Sequence, residues 1–247
     1  MNIWKAHYID KLHNEDIDII NDTGSESPLS FTIEGMTFSG MDLSDFELVS
    51  GEKYSEAKEK FCILKMGPYR TQNGAWNYYY LQRYTMKIDI PVHVIRKADK
   101  QDIEGILHIE FELVEPDNEK ADFDEIILHD FTLYVEGKSY SCQDKNFWFE
   151  DRLKEIGKMI EESYYLMCCF TCQFSDYSPY GNDDFGNMLC YRANKAEYLK
   201  VNNKEEYFRY VGDLDAYTVQ ETGLCSEYEI RNRSDGYRGY VGVEKYI

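Results

Sequence analysis

Three cysteines fall within five residues, Cys168, Cys169 and Cys172, and run straight into the tyrosine-rich stretch QFSDYSPYG (173–181). Thiolates at such spacing can hold a metal or exchange disulfides, whereas protonated thiols fill a core as small hydrophobes. A zinc knuckle needs a tight turn that brings both sulfurs to about 2.3 Å from one ion. Cys169-Phe170-Thr171-Cys172 contains two strand formers and no turn former. In an extended chain its thiols point to opposite faces, about 10 Å apart at roughly 3.3 Å per residue. A redox C-x-x-C needs a helix N-terminus to lower its thiol pKa, and here a turn follows instead. The first reading is therefore a buried strand with thiols in the core. The alternative is a structural zinc site of Cys169, Cys172, Cys190 and Cys225, which requires the chain to break at Phe170-Thr171. No second C-x2-C supports it.

The turn SDYSPYGNDDFG (175–186) sets Tyr177, Tyr180 and Phe185 among Asp176, Asp183 and Asp184. Tyrosines beside acids suit contact with a basic partner, and a connecting loop with partly buried rings explains them equally well. N-D-D-F-G lacks the alternation of a calcium loop. Taken together, Cys169, Cys172, Ser175 to Gly181, Phe185-Gly186 and Cys190 to Arg192 resemble the signature of an uncharacterised bacterial family, a domain of unknown function. The resemblance implies a bacterial cytosolic protein and supplies no activity, catalytic residue or cofactor.

A second constellation is His108, Glu110 and Glu112, which share one face of a strand and could ligate a metal or simply face water. Acids outnumber Lys and Arg by 46 to 27, for a net charge of −19. Residues 101–130 hold eleven acids against Lys120 alone. Such a body repels a phosphate backbone, so nucleic-acid binding is not expected, although Arg231, Arg233 and Arg238 are interleaved with Tyr228, Tyr237 and Tyr240. His129 aligns with Ile127, Phe131 and Leu133 and reads as a core histidine. The chain contains no G-x-S-x-G, phosphate-binding glycine loop or H-E-x-x-H, so the reading leans toward a noncatalytic protein. A cysteine nucleophile such as Cys190, activated by a distant histidine, would leave no such motif.

Stepwise alternation supplies the elements that position these residues. Period-2 patterns predict a hairpin over 25–40 turning at Glu34-Gly35, and a strand KFCILKM stopped by Gly67-Pro68. They also predict a long strand over 76–90, one over 105–116, and one over 125–137 closed by Glu136-Gly137. Phe149, Leu153, Ile156 and Ile160 recur at helical spacing, predicting an amphipathic helix over 146–163 with Asn146 as its N-cap. A closing hairpin is expected around Ser234-Asp235-Gly236. The fold class is α+β: mainly antiparallel β-sheet, sandwich-like or strongly curved, with one principal helix. A single domain over 1–247 is expected, with 137–146 as the place for any subdivision.

No apolar run reaches the roughly 18 residues of a membrane helix, and MNIWKAHYIDKLHNEDID has no apolar signal core. Seven clustered cysteines suit a reducing compartment, so the expected location is cytoplasmic. These features lead to a noncatalytic acidic bacterial binding protein that engages a basic protein partner and uses no cofactor. In acidity and size it resembles the immunity proteins that inhibit toxins. The expected contact residues are Glu110, Glu112, Asp176, Tyr177, Tyr180, Asp183 and Asp184. The alternative is a metal-binding protein or enzyme organised around Cys169, Cys172 and Cys190.

Overall fold

Alternating side chains become strands only when neighbours accept both their backbone bonds and their apolar face. A computed structural model shows how this chain meets that demand, describing residues 1–71, 74–116, 125–143, 148–178 and 185–231. The first half contains β1 (Asn2–Ile9), β2 (Asn14–Asn21), β3 (Leu29–Ile33), β4 (Met36–Gly40), β5 (Glu47–Leu48), α1 (Tyr54–Lys60), β6 (Ile63–Thr71), β7 (Gly74–Leu81) and β8 (Thr85–Arg96). Then come β9 (Gln101–Val114), β10 (Glu125–Val135), β11 (Lys138–Ser141), α2 (Phe149–Ile160), β12 (Tyr164–Met167), β13 (Ser175–Asp176) and β14 (Met188–Cys190). The last elements are α3 (Lys195–Tyr198), α4 (Lys204–Tyr210) and β15 (Tyr217–Val219). Twelve strands form one sheet in the order β11-β10-β9-β8-β1-β2-β3-β4-β5-β7-β6, with β12 also pairing β8. A second sheet is β13-β14-β15. No helix among the described residues is long and apolar enough to cross a membrane.

The chain divides into two compact units, one built on Met1–Ile90 and His108–Phe131, the other on Pro91–Leu107, Thr132–Asp144 and the chain from Trp148 onward. The division falls inside β8, β9 and β10, where no linker marks it in the sequence. In the first unit, Trp4, Tyr8, Ile19, Phe31, Phe38, Met86, Ile88, Ile109 and Phe111 are all buried. Tyr8 stacks on Tyr84 at 5.5 Å, and Phe31 meets Phe46 edge-on at 4.9 Å. In the second unit, α2 buries Phe149, Leu153, Ile156 and Ile160. Tyr191, Tyr198, Val201, Tyr207 and Val211 form a further cluster with Phe174 and Cys172.

Both turn dipeptides behave as predicted: Glu34-Gly35 has φ values of 44° and 77°, and Glu136-Gly137 of 48° and 74°, the left-handed pair of a two-residue hairpin. Elsewhere the prolines mislead. β6 runs on through Gly67-Pro68 with a register shift between Met66 and Tyr69. It is the last strand of the sheet, where a missing N–H is tolerated. β8 runs through Pro91, which lies between its last partner on β1 (Asp89) and its first on β12 (His93). The long strand expected over 76–90 is instead two, β7 and β8, separated at Gln82–Tyr84, with Arg83 at φ 57°. The expected N-cap Asn146 and the closing hairpin lie outside the described residues, and Trp148 occupies the N-cap of α2.

Phe111 is fully buried on the inner face of β9 and Glu110 faces out. Phe111→Ala is expected to cost about 3–5 kcal/mol of unfolding free energy and Glu110→Gln at most about 1 kcal/mol. Urea unfolding of the two variants measures the difference.

Candidate functional site

The residues with exchangeable charge gather on the outer face of β2-β1-β8-β9-β10 in the first unit. Antiparallel pairing sets Lys5 opposite Asp18 on β2 and Asp89 on β8, and His7 opposite Asp16 and Lys87. Each side chain finds a partner across a strand. Lys5 Nζ lies 2.7 Å from Asp18, His7 Nδ1 2.7 Å from Asp16, and Lys87 Nζ 3.1 Å from Glu110. His108 Nδ1 lies 2.7 Å from Asp89, and His129 Nε2 3.0 Å from Glu112. Arg83 pairs with Glu115 at 2.9 Å at the end of the face. The Asp16 carboxylate raises the His7 pKa, helped by Asn14 and opposed by Lys87.

Glu110 and Glu112 thus stand on the outer face, as the alternation predicts, while Leu107, Ile109, Phe111 and Leu113 point inward. The surface around them is not uniformly anionic, because register sets Lys5 of β1, Lys87 of β8 and the histidines of β1, β9 and β10 against the acids. His129, expected in the core, is also on this face, since β10 buries Leu128 but then Phe131, a change of parity. Six strand carboxylates, Asp16, Asp18, Asp89, Glu110, Glu112 and Glu125, still face only two lysines. Asp16, Asp18 and Asp89 keep 93, 53 and 50% of their side-chain surface exposed. Exposed pairs of this kind stabilise by roughly 0–1 kcal/mol, so an incoming cation can exchange with them.

The cysteines lie in the second unit, and their local structure also departs from expectation. β12 stops at Met167, and Cys169–Thr171 turn as a short 3-10 helix. Thr171 closes the turn by donating its hydroxyl to the Leu166 carbonyl at 2.8 Å and accepting the Cys168 N–H at 3.3 Å. A β-branched residue that reads as a strand former here acts through its hydroxyl. The chain from Glu221 to Arg231 then lies along the turn. Phe170 N–H donates to the Glu221 carbonyl, Gln173 N–H to that of Glu229, and Arg231 N–H to that of Thr171, at 3.0, 2.9 and 2.9 Å.

Cys168, Cys169, Cys172 and Cys190 are buried, and Cys225 is partly exposed. Burial pushes the Cys168 thiol up to about 11. Cys169 is raised by burial first and then by the thiols of Cys168, Cys172, Cys190 and Cys225, so the four predicted ligands do share a neighbourhood. Burial raises Cys172 as well. Among the described residues no group of three or more His, Cys, Asp or Glu is arranged to hold a metal ion.

Asp176 and Tyr177, expected at a docking surface, are interior residues, and so is Phe185. The Tyr198 hydroxyl donates to Asp176 at 2.7 Å, and the Tyr177 hydroxyl donates to Glu221 at 3.0 Å. Glu221 also accepts the Gly186 N–H at 2.7 Å. These bonds consume the polar groups that made the stretch look like a contact patch. Tyr180, Asp183 and Asp184 lie outside the described residues. Arg231 is fully buried and donates to the carbonyls of Cys172 and Ser175. Among the described residues its Nε and Nη1 and the Ser175 hydroxyl find no hydrogen-bond partner.

Sequence reasoning passed over Asp10 and His13, three residues apart in the β1–β2 turn. Asp10 accepts the N–H groups of Leu12 and His13, each at 2.8 Å, the Tyr8 hydroxyl at 2.8 Å, and His13 Nδ1–H at 2.9 Å. His13 stacks on Phe61 at 4.6 Å, with Nε2 3.8 Å from Glu34. The D-x-x-H spacing at a hairpin turn is the signal that points to it. The carboxylate orients the imidazole as it would a base, and the same bonds staple the turn.

A family model of unknown function, DUF6304, matches residues 2–175. The chain belongs to that family. The matched span includes the charged sheet face, Asp10 and His13, and ends at Ser175, short of Cys190, Glu221 and Arg231. Neither a curated protein nor a solved structure matches the chain.

Two measurements check this geometry. In the folded protein a thiol reagent is expected to label exposed Cys62 promptly and Cys225 more slowly, and to reach Cys142, Cys168, Cys169, Cys172 and Cys190 only with denaturant. Prompt labelling of Cys169 or Cys172 contradicts their burial. By NMR, His7 is expected to titrate above its ordinary 6.5, and Asp16→Asn to bring it back down. Because the folded pKa is the raised one, the pair's small stabilisation is complete below about pH 6.5 and fades as pH rises through the folded pKa.

Proposed function

We propose that the protein is a noncatalytic acidic binding protein that docks a basic protein surface on the outer face of β2-β1-β8-β9-β10, in the manner of an immunity protein. The observation that carries this reading is the surplus of carboxylates on a face whose geometry is held by strands. Asp16, Asp18, Asp89, Glu110 and Glu112 outnumber Lys5 and Lys87. The face belongs to a chain of net charge −19, whose long-range field draws cations and speeds their encounter. Once a partner arrives, its arginines can take over carboxylates now held by single lysines or histidines, and Arg is suited to this by its bidentate fork.

The probe is a nona-arginine peptide titrated into isotopically labelled protein. Amide shifts are expected to cluster on β1, β2, β8 and β9, and affinity to fall steeply with added salt. Combined Asp16→Asn, Asp18→Asn and Asp89→Asn should weaken binding by roughly ten-fold or more. Shifts clustered elsewhere, or undiminished affinity in the triple variant, overturn the reading.

A further inference from the structure

Within the first unit the docking face carries three histidines, each hydrogen-bonded to a carboxylate that the docking reading needs: His7 to Asp16, His108 to Asp89 and His129 to Glu112; His93, beyond Pro91 on β8 and in the second unit, is likewise bonded to Asp102 at 3.0 Å. The three come from different strands, β1, β9 and β10, and each bond crosses to a neighbouring strand. A neutral imidazole holds its carboxylate only by a hydrogen bond. A protonated one holds it as an ion pair, with a cation already seated where a partner's arginine would go.

We propose that protonation of His7, His108 and His129 switches this face from a cation-binding to a self-satisfied state, releasing a basic partner as pH falls. The proposal rests on the docking reading above and adds its regulation. With the histidines neutral, the outward strand carboxylates Asp16, Asp18, Asp89, Glu110, Glu112 and Glu125 face two lysines, an excess of four negative charges. With all three histidines charged, that excess falls to one. Other charged groups face them from the strands on either side. Those groups are Lys5 between Asp18 and Asp89, Lys87 beside His7 and on Glu110, and Arg83 on Glu115. Asn14, bonded to His7 Nε2 at 2.9 Å, does not titrate. Histidine is the side-chain type on this face whose ordinary charge change falls between about pH 5 and 8.

Linkage makes the effect reciprocal: if protonation weakens binding, bound cation must make the imidazoles harder to protonate. The test titrates nona-arginine, whose own charge is constant, into the labelled protein at about pH 8 and about pH 5.5 and equal ionic strength. Binding is expected to weaken by roughly ten-fold or more at the lower pH, and the imidazole titrations of His7, His108 and His129 to shift to lower pH with peptide bound. The combined His7→Gln, His108→Gln and His129→Gln variant should still bind and should lose the pH response. Peptide that maps to this face with equal affinity at both pH values, or that leaves the three imidazole titrations unmoved, overturns the switch and leaves the docking reading standing. A pH response that survives in the triple variant also overturns it. Peptide that does not map to this face at about pH 8 overturns the docking reading and the switch together. The imidazole titrations need only the wild-type chain, so the test holds even if the triple variant folds poorly.

Discussion

Register between antiparallel strands is the constraint on which the rest depends. Trp4, Tyr8, Ile17, Ile19, Met86, Ile88, Ile109 and Phe111 are buried because β1, β2, β8 and β9 each send alternate residues inward. The same alternation leaves Lys5, His7, Asp16, Asp18, Lys87, Asp89, His108 and Glu110 with nowhere to go but the opposite face. A slip by one residue would exchange the two sets, burying charges and exposing aromatic rings. The apolar face therefore determines the register, and the register determines which charges meet.

That order of causes explains why so acidic a chain carries a face of mixed sign. Cross-strand neighbours of opposite charge attract, as Lys5 does between Asp18 and Asp89 and Lys87 against Glu110, whereas Lys87 opposite His7 opposes protonation of that ring. Each exposed pair contributes little to folding. Their weakness suits exchange with a partner, because a cation that replaces an intramolecular one gives up little stability. Histidine in such a position adds a dependence on pH that lysine cannot.

In the second unit the polar groups are spent on the fold itself. Thr171 closes the turn that ends β12, and Asp176, Glu221, Tyr177 and Tyr198 satisfy one another in the interior. Arg231 ties the returning chain to the cysteine turn through two backbone carbonyls. The thiols of Cys168, Cys169 and Cys172, whose pKa burial raises, belong to this packing.

Much of the sheet was legible from local pattern. The alternation over 105–116 and 125–137 and the hairpins at Glu34-Gly35 and Glu136-Gly137 are short-range signals that the structure keeps, and so is the helical spacing from Phe149 to Ile160. Glu110 and Glu112 could be assigned to the outer face for the same reason. Their partners could not, because Lys87 and His129 reach them through strand pairing that no local pattern specifies. Pro68 reads as a break, and the strand predicted over 76–90 stops short of Pro91, because a proline's tolerance depends on which neighbour needs an N–H. Tyr177 and Asp176 read as surface because the groups that bury them, Glu221 and Tyr198, arrive from far along the chain. By itself the sequence determined strand periodicity, turn positions, overall charge and the side of β9 that meets water, all consequences of backbone geometry repeated every two residues. Tertiary structure alone decided which charges neutralise one another and which polar residues are sealed inside, because those outcomes depend on strand order and register between segments distant in sequence.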